Sequence, residues 1–226
     1  MRISVIIPTR NEEAAIGQVL LNLRQTSSRE RIEIIVVDSS SSDRTVEIAQ
    51  KSADKVLKSN QSQRAFQMHQ GALAASGEIL LFLHADTRLP DNWQDEFCEA
   101  WSEPNKPAAT AFRLDFDSSK LIYRLIAAAA NWRTTLTEVP QGDQAIAIDR
   151  DTYSRAGGFP LVPILEEYLL FNKLRPIGKV RMLSGTVLTS IRRYEKNGWL
   201  FNILRNTSIL ALFYLGVPPR FLGRFY

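Results

Sequence analysis

Two aspartates and two arginines are the residues of this 226-residue chain whose types and placement suggest chemistry first. Asp86 follows the apolar run Ile79 to Leu83, within His84-Ala85-Asp86-Thr87, and Asp38 follows the predicted strand Ile32 to Val37. Arg10 lies just beyond another predicted strand, Ile3 to Ile7, and Arg64 lies in the first turn of a predicted helix. An apolar run of five or six residues is the length of one buried strand. A strand that delivers a carboxylate at its carboxyl end does so where open α/β sheets bind ligands. Asp38 is then placed to accept hydrogen bonds from a base or ribose. Asp86 can hold a divalent cation, Mg²⁺ or Mn²⁺, that bridges phosphates, because such ions take few carboxylates plus phosphate oxygens. With Arg10 and Arg64 nearby, the set suits a nucleotide diphosphate. The competing reading of Asp86 is a strand-end aspartate that caps its own turn.

The elements that must position these residues follow from periodicity. Strands are expected at Ile3 to Ile7, Ile32 to Val37, Lys55 to Leu57 and Ile79 to Leu83, with Leu89-Pro90 stopping further pairing. Helices are expected at Ala14 to Leu23, from Thr45 onward after the loop SSSSDRT, and at Ser62 to Ala75. Strands alternating with helices at this spacing predict an α/β, Rossmann-like, mostly parallel central sheet flanked by helices. The ends of the three strong strands, Thr9 to Glu12, Asp38 and Asp86, should share one rim. Neither GxGxxG nor GxxxxGK[ST] occurs, which argues against a dinucleotide site and a P-loop.

The second half is more mixed. Trp93 to Trp101 reads as an amphipathic helix, Ala109 to Asp117 as a strand, Leu121 to Trp132 as an apolar helix, Ala145 to Ile148 and Val180 to Leu188 as strands. Gln141-Gly142-Asp143-Gln144 is a polar turn, and Glu166-Glu167 opens a helix, where acids ordinarily complement the macrodipole. Cys98, the single cysteine, reads as a small buried hydrophobe and fits a reducing compartment. His69, among Phe66, Met68 and Leu73, reads as a packed helix histidine. A net charge of +4 suits anionic small molecules or a membrane surface, and no motif supports nucleic acid. From Trp199 onward the chain is apolar, interleaved with Arg192, Arg193, Lys196, Arg205, Arg220 and Arg224. That mixture suits a helix lying in a membrane interface; a helix packed on the domain or a dimer contact are the alternatives. The N-terminus turns polar too soon for a secretory signal, and no apolar run of ~20 residues predicts a span. These features predict a cytoplasmic protein with peripheral contact to the inner face of the plasma membrane.

Six segments in order, SVIIPTRNEE, EIIVVDSSSSDRT, QRAFQMHQGALAASGEILLFLHADT, GDQ, GGFP and LEEYLL, resemble the family 2 glycosyltransferases of GT-A fold. More narrowly, the chain is similar to the small bacterial selenodomain-associated transferase 2 group, over nearly its whole length. The resemblance implies one glycosyltransferase domain over 1–226, with a nucleotide-sugar half (1–90), an acceptor half (91–190) and an apolar, basic tail (191–226). It implies that Pro8, Thr9, Arg10 and Glu12 line the nucleotide loop, Asp38 holds the base, and Arg64 lies near the diphosphate. His84-Ala85-Asp86 stands where the family carries DxD, so Asp86 is the implied metal ligand and His84 replaces the first acid. Asp143 falls in the acceptor-side loop, and Glu166-Glu167 matches the Glu-Asp pair whose second acid is the catalytic base. The implied reaction moves a sugar from a nucleotide-diphospho-sugar to an acceptor hydroxyl, lipid-linked or on a polysaccharide, with inversion. A nucleotide-sugar-binding module without catalysis remains the alternative. A phosphatase of the haloacid dehalogenase type is disfavoured by His84, which occupies the position its nucleophile needs. Donor base, donor sugar, acceptor and oligomeric state are left open.

Overall fold

The computed structural model describes residues 1–225. In chain order the elements are β1 (Ile3–Thr9), α1 (Ile16–Gln25), β2 (Ile32–Asp38), α2 (Thr45–Gln50), β3 (Lys55–Lys58), α3 (Arg64–Ala74), β4 (Ile79–Phe82), β5 (Thr87–Arg88), α4 (Trp93–Ser102), β6 (Ala109–Phe116) and α5 (Leu121–Thr137). A short 3-10 turn (Gly142–Gln144) leads to β7 (Ile146–Asp149), α6 (Arg150–Arg155), α7 (Glu166–Leu174), β8 (Val180–Thr189), α8 (Arg192–Asn197), α9 (Trp199–Tyr214) and α10 (Pro219–Leu222).

The strands form one sheet in the order β3-β2-β1-β4-β7-β6-β8-β5. The first four are parallel, as their spacing predicts. Val5 and Ile7 face one core layer while Ile6 faces the other, and Ile34 and Val36 alternate with Ile35 and Val37 in the same way. Helices cover both faces, so these strands are apolar almost throughout, apart from Ser4 and Glu33, rather than alternating. Each fully buried side chain of this kind stabilises the fold by about 1.5–3 kcal/mol.

Beyond β4 the sheet is mixed. β7 runs antiparallel to β4, with Phe82 opposite Ile146. The entrance to β7 therefore lies beside the exit from β4, which carries the Gly142–Gln144 turn to the rim where His84-Ala85-Asp86 emerges. β6 is antiparallel to β7 and parallel to β8. Beyond the polar tip, Thr87 and Arg88 pair with Thr189 and Leu188, and pairing stops at Leu89-Pro90 as expected. Cys98 is half-buried rather than fully enclosed, on the α4 helix that buries Trp93, Phe97 and Trp101. His69 packs as expected, with its Nδ1 3.0 Å from the Tyr153 hydroxyl.

Candidate active site

The rim begins where β1 and β2 end in register, Thr9 beside Asp38. Thr9 Oγ1 donates to Asp38 Oδ1 at 3.0 Å, and the Ser41 amide donates to Asp38 Oδ2 at 2.9 Å. Gln67 of α3 donates from Nε2 to the carbonyls of Thr9 (2.9 Å) and Val37 (2.7 Å), tying both strand ends to one helix. Asp38 is thus a buried carboxylate fixed by its own loop, with Pro8 half-buried behind it. The loops after β1 and β2 are joined: the Asn11 amide donates to Ser41 Oγ at 2.8 Å, and Asn11 Oδ1 accepts from the Ser42 amide at 2.9 Å. Arg10 is exposed beside them.

At the end of β4, Ala85 is buried and His84 and Asp86 are half-buried. Burial, with the Arg64 and Arg193 cations, holds His84 well below the usual imidazole range, so its ring is neutral. Burial pushes the Asp86 carboxyl up, opposed by Arg192 and Arg193. Arg192, at the start of α8, reaches across the rim: its Nη2 lies 2.5 Å from Glu12 Oε2 and 3.7 Å from Asp86 Oδ2. Among the described residues no cluster of three or more His, Cys, Asp or Glu side chains could hold a metal by itself.

The third part of the rim is built on Arg64, the first residue of α3. Its Nε donates to Glu166 Oε1 at 2.8 Å and its Nη2 to Glu167 Oε1 at 3.1 Å, while Nη1 lies 3.4 Å from His84 Nε2. Glu166 and Glu167 are 2% and 4% exposed, which removes them from the class of solvated helix-start acids. The Glu167 carboxyl is pushed up to about 7, by burial first and then by the Glu166 carboxylate beside it, against the pull of Arg64. Asp143 is likewise raised by burial, with Arg133 and Arg64 opposing. Gly142 is wedged between these groups. A Cβ there would collide with His84 Nε2 and stand 3.0 Å from Glu167 Oε1, so only glycine fits.

Backbone strain collects at the same place. Asn11 (φ 54°), Ser40 (57°), Ala145 (50°) and Leu165 (64°) all adopt left-handed conformations in the loops that form the rim. For Ala145 and Leu165 this costs on the order of 1–3 kcal/mol each, and such strain tends to mark functional sites. A cavity of ≈ 750 Å³ lined by Trp101, Lys106, Asp149 and Arg155 lies at the opposite end of β7 and takes no part in the rim.

A family model described as "Glycosyl transferase family 2" matches residues 4–161, well over half of the chain. The chain belongs to glycosyl transferase family 2. It is 38% identical over 94 residues to the 4,4'-diaponeurosporenoate glycosyltransferase of Staphylococcus haemolyticus, a stretch that is 38% of this chain and 24% of that protein. Among solved structures it resembles the mannosyltransferase PcManGT of Pyrobaculum calidifontis in complex with GDP-Man and Mn²⁺, with a TM-score of 0.70 and 20% identity over 99% of this chain and 68% of that one. It also resembles TarS 1-349 of S. aureus in complex with UDP-GlcNAc, with a TM-score of 0.68 and 18% identity over 85% of this chain and 59% of that one. These likenesses bear out the GT-A fold. The chain spans only about a quarter of the curated relative's length.

Within this family 2 chain, the rim gathers Thr9 with Asp38, Glu12 with Asp86, and Arg64 with His84, Glu166 and Glu167. Arg64, expected near a diphosphate, faces the two glutamates here. Gly142, Gln67 and Arg192 were not among the residues expected from sequence. Arg192 lay within a basic cluster assigned to the tail, and nothing local marks Gly142 or Gln67.

Proposed function

We propose that this chain is an inverting glycosyltransferase that moves a sugar from a nucleotide-diphospho-sugar to an acceptor hydroxyl. The observation that carries the proposal is Glu167: a buried carboxyl raised to about 7, at a rim shared with Asp38 and Asp86. A general base works best when its pKa lies near the operating pH. In this reading Asp38, Pro8, Thr9, Arg10 and Glu12 frame the nucleotide, and residues 1–90 form the donor half. Glu167 takes the proton of the acceptor hydroxyl as its oxygen bonds to the anomeric carbon. The bond from that carbon to the diphosphate breaks on the opposite face, and the diphosphate leaves with the electron pair. Glu166 fixes Arg64, Asp143 orients the acceptor, and Arg64 is within a side chain's swing of the leaving group.

The residues at the end of β4 fit a divalent cation that the donor helps to hold. Asp86 offers a hard carboxylate oxygen, a positive group already stands 3.7 Å from it, and neutral His84 adds no opposing charge. Asp86 would be its protein ligand, with donor phosphate oxygens supplying the rest. A cation so held would offset the charge that develops on the departing diphosphate.

The tail supports peripheral membrane contact. Trp199, Leu200, Phe201 and Leu204 of α9 are 41–58% exposed, and residues 191–226 carry six basic residues against one acid. No helix among the described residues is long and apolar enough to cross a membrane. An apolar, basic helix of this kind suits the headgroup layer, and on that ground we infer a lipid-linked acceptor on the cytoplasmic face.

The test is a thermal-shift series with UDP, GDP, dTDP and CDP, with and without Mn²⁺ or Mg²⁺. A ligand at 100 times its Kd stabilises by about 2.7 kcal/mol. One base winning, strengthened by metal, supports the donor site. Silence from all four nucleotides refutes the reading, and binding without turnover in any acceptor screen leaves a nucleotide-sugar-binding module.

A further inference from the structure

α5 ends against the acceptor side of the rim, and its last turns carry Arg133, a half-buried cation near Asp143 with two N–H groups that find no acceptor among the described residues. Asn131 takes the Leu114 amide at 2.8 Å and donates to the Leu114 carbonyl at 2.9 Å, while Thr134 donates to Gln144 Oε1 at 2.8 Å. These bonds fix the turn that bears Arg133 against the Gly142–Gln144 turn. Arg133 Nε and Nη2 are closed to solvent and have no hydrogen-bond partner among the described residues. The same holds for Asp143 Oδ1, while the hydroxyl of Tyr168, a residue 3% exposed, has only the Gln141 side chain near it and no hydrogen bond of good geometry. Arg133 is also the first-ranked charge opposing the upward push of burial on both Asp143 and Tyr168, which places it close to each.

Buried polar groups are nearly always paired, and an unpaired buried charge is costly. Nε and Nη2 form one edge of the guanidinium, the edge that grips an oxyanion with two parallel N–H bonds. The Tyr168 hydroxyl, held only loosely by Gln141, adds a third donor. Three convergent donors match the three terminal oxygens of a phosphate better than the two of a carboxylate. Tyr168 in turn packs edge-on against Phe213 and Tyr214 of α9, so apolar surface leads from this place to the exposed tail.

Building on the transferase reading, we propose that Arg133 and Tyr168 form a subsite for a phosphate group carried by the acceptor. Asp143 Oδ1, buried near Arg133 without a partner of its own, accepts from a second, non-reacting hydroxyl of the acceptor. A lipid phosphate and a soluble phosphomonoester share this chemistry, and the experiment separates them.

The Arg133 Nε–H resonance, assigned by its loss in Arg133→Lys, is followed in isotope-labelled protein. The additions are inorganic phosphate, phosphatidylcholine vesicles, and the same vesicles containing phosphatidic acid. The protein is first saturated with whichever nucleotide raises its melting temperature, so that the donor site is filled. Inorganic phosphate should move the resonance, and Tyr168→Phe should raise the half-saturating concentration about tenfold. A stronger response to phosphatidic acid than to plain vesicles supports the subsite with a lipid source; a response to inorganic phosphate alone supports it with a soluble one. No movement with either phosphate, in protein that still binds nucleotide, overturns the subsite and leaves the transferase reading standing. Arg133→Met provides a second check. An arginine kept for a ligand leaves the melting temperature unchanged or higher when replaced, whereas a clear drop shows a structural arginine and overturns the proposal.

Discussion

Replacing Glu167 with glutamine tests the proposed base through both stability and rate. Folding moves its carboxyl from 4.5 to about 7, which is worth about 3 kcal/mol at 1.36 kcal/mol per pH unit. The sign follows from proton binding. Below pH 4.5 the group is neutral folded and unfolded, and contributes no difference. Between 4.5 and 7 the unfolded chain releases the proton while the folded chain keeps it, so stability falls as pH rises; above 7 the full penalty applies. Glu167→Gln removes the penalty. Its melting temperature relative to wild type should therefore climb between pH 4.5 and 7, reaching a gap of at most about 3 kcal/mol. The loss of one Arg64 contact at 3.1 Å subtracts a roughly pH-independent amount above 7. Turnover should fall about 100- to 10,000-fold, the range for loss of a general base. In the wild type, kcat/KM should rise with pH along a limb centred near 7. A melting-temperature difference that is flat from pH 4 to 8, together with a limb near 4.5, would refute the burial argument. A fully active Glu167→Gln would remove the base.

Gly142→Ala should lower the melting temperature by the equivalent of about 1–3 kcal/mol, the cost of overpacking, and depress turnover far more than nucleotide binding, as read by paired thermal-shift and rate measurements. Glu33, at the far end of β2, supplies an acid-stability prediction. Burial pushes its carboxyl up, but hydrogen bonds from Lys55, Ser4 and Ser76 outweigh that and hold it at about 2. Its contribution is full above pH 4.5 and lost as pH falls toward 2, so Glu33→Gln should cost stability at pH 7 and little at pH 2 in urea titrations. The tail should bind anionic vesicles more tightly than neutral ones, with binding weakened by salt, and Trp199→Ser/Phe201→Ser should reduce it in a flotation assay.

How much of this was legible in the sequence depended on how local each cause is. β1, β2 and β4 are buried on both faces, so Ile79 to Leu83 announces itself as an unbroken apolar run, and Ile3 to Ile7 and Ile32 to Val37 as runs broken only by Ser4 and Glu33, each ending at the rim. The direction of β7 leaves no such mark, because a strand has the same period whichever way it runs. Yet that direction alone brings Gly142 to His84 and Glu167. Glu166 and Glu167 taken by themselves look like ordinary helix-start acids, and only the family resemblance singled them out. What makes them unusual is Arg64, 102 and 103 positions earlier in the chain. Arg192 sat in a cluster whose composition suited a membrane, while its guanidinium closes on Glu12 from 180 positions away. Arg133 falls just past the apolar helix expected over Leu121 to Trp132, in the last turns of the longer α5, and nothing in the sequence marks its enclosed Nε and Nη2.

Arg64 is the residue through which donor and base communicate. One guanidinium faces His84, Glu166 and Glu167, and its charge is what lowers the Glu167 carboxyl against burial. A diphosphate arriving beside Asp86 competes for that guanidinium, while the cation it brings largely offsets its own charge. Drawing Arg64 from the glutamates raises the Glu167 pKa, making the carboxylate a stronger base once the donor is in place. The pH limb in kcat, which reports the bound complex, should therefore lie above the limb in kcat/KM, which reports the free enzyme. In Arg64→Met the free-enzyme limb should already be shifted up and the gap between the two limbs should narrow. Coincident limbs in the wild type would mean that Arg64 stays with the glutamates throughout and serves only to hold them.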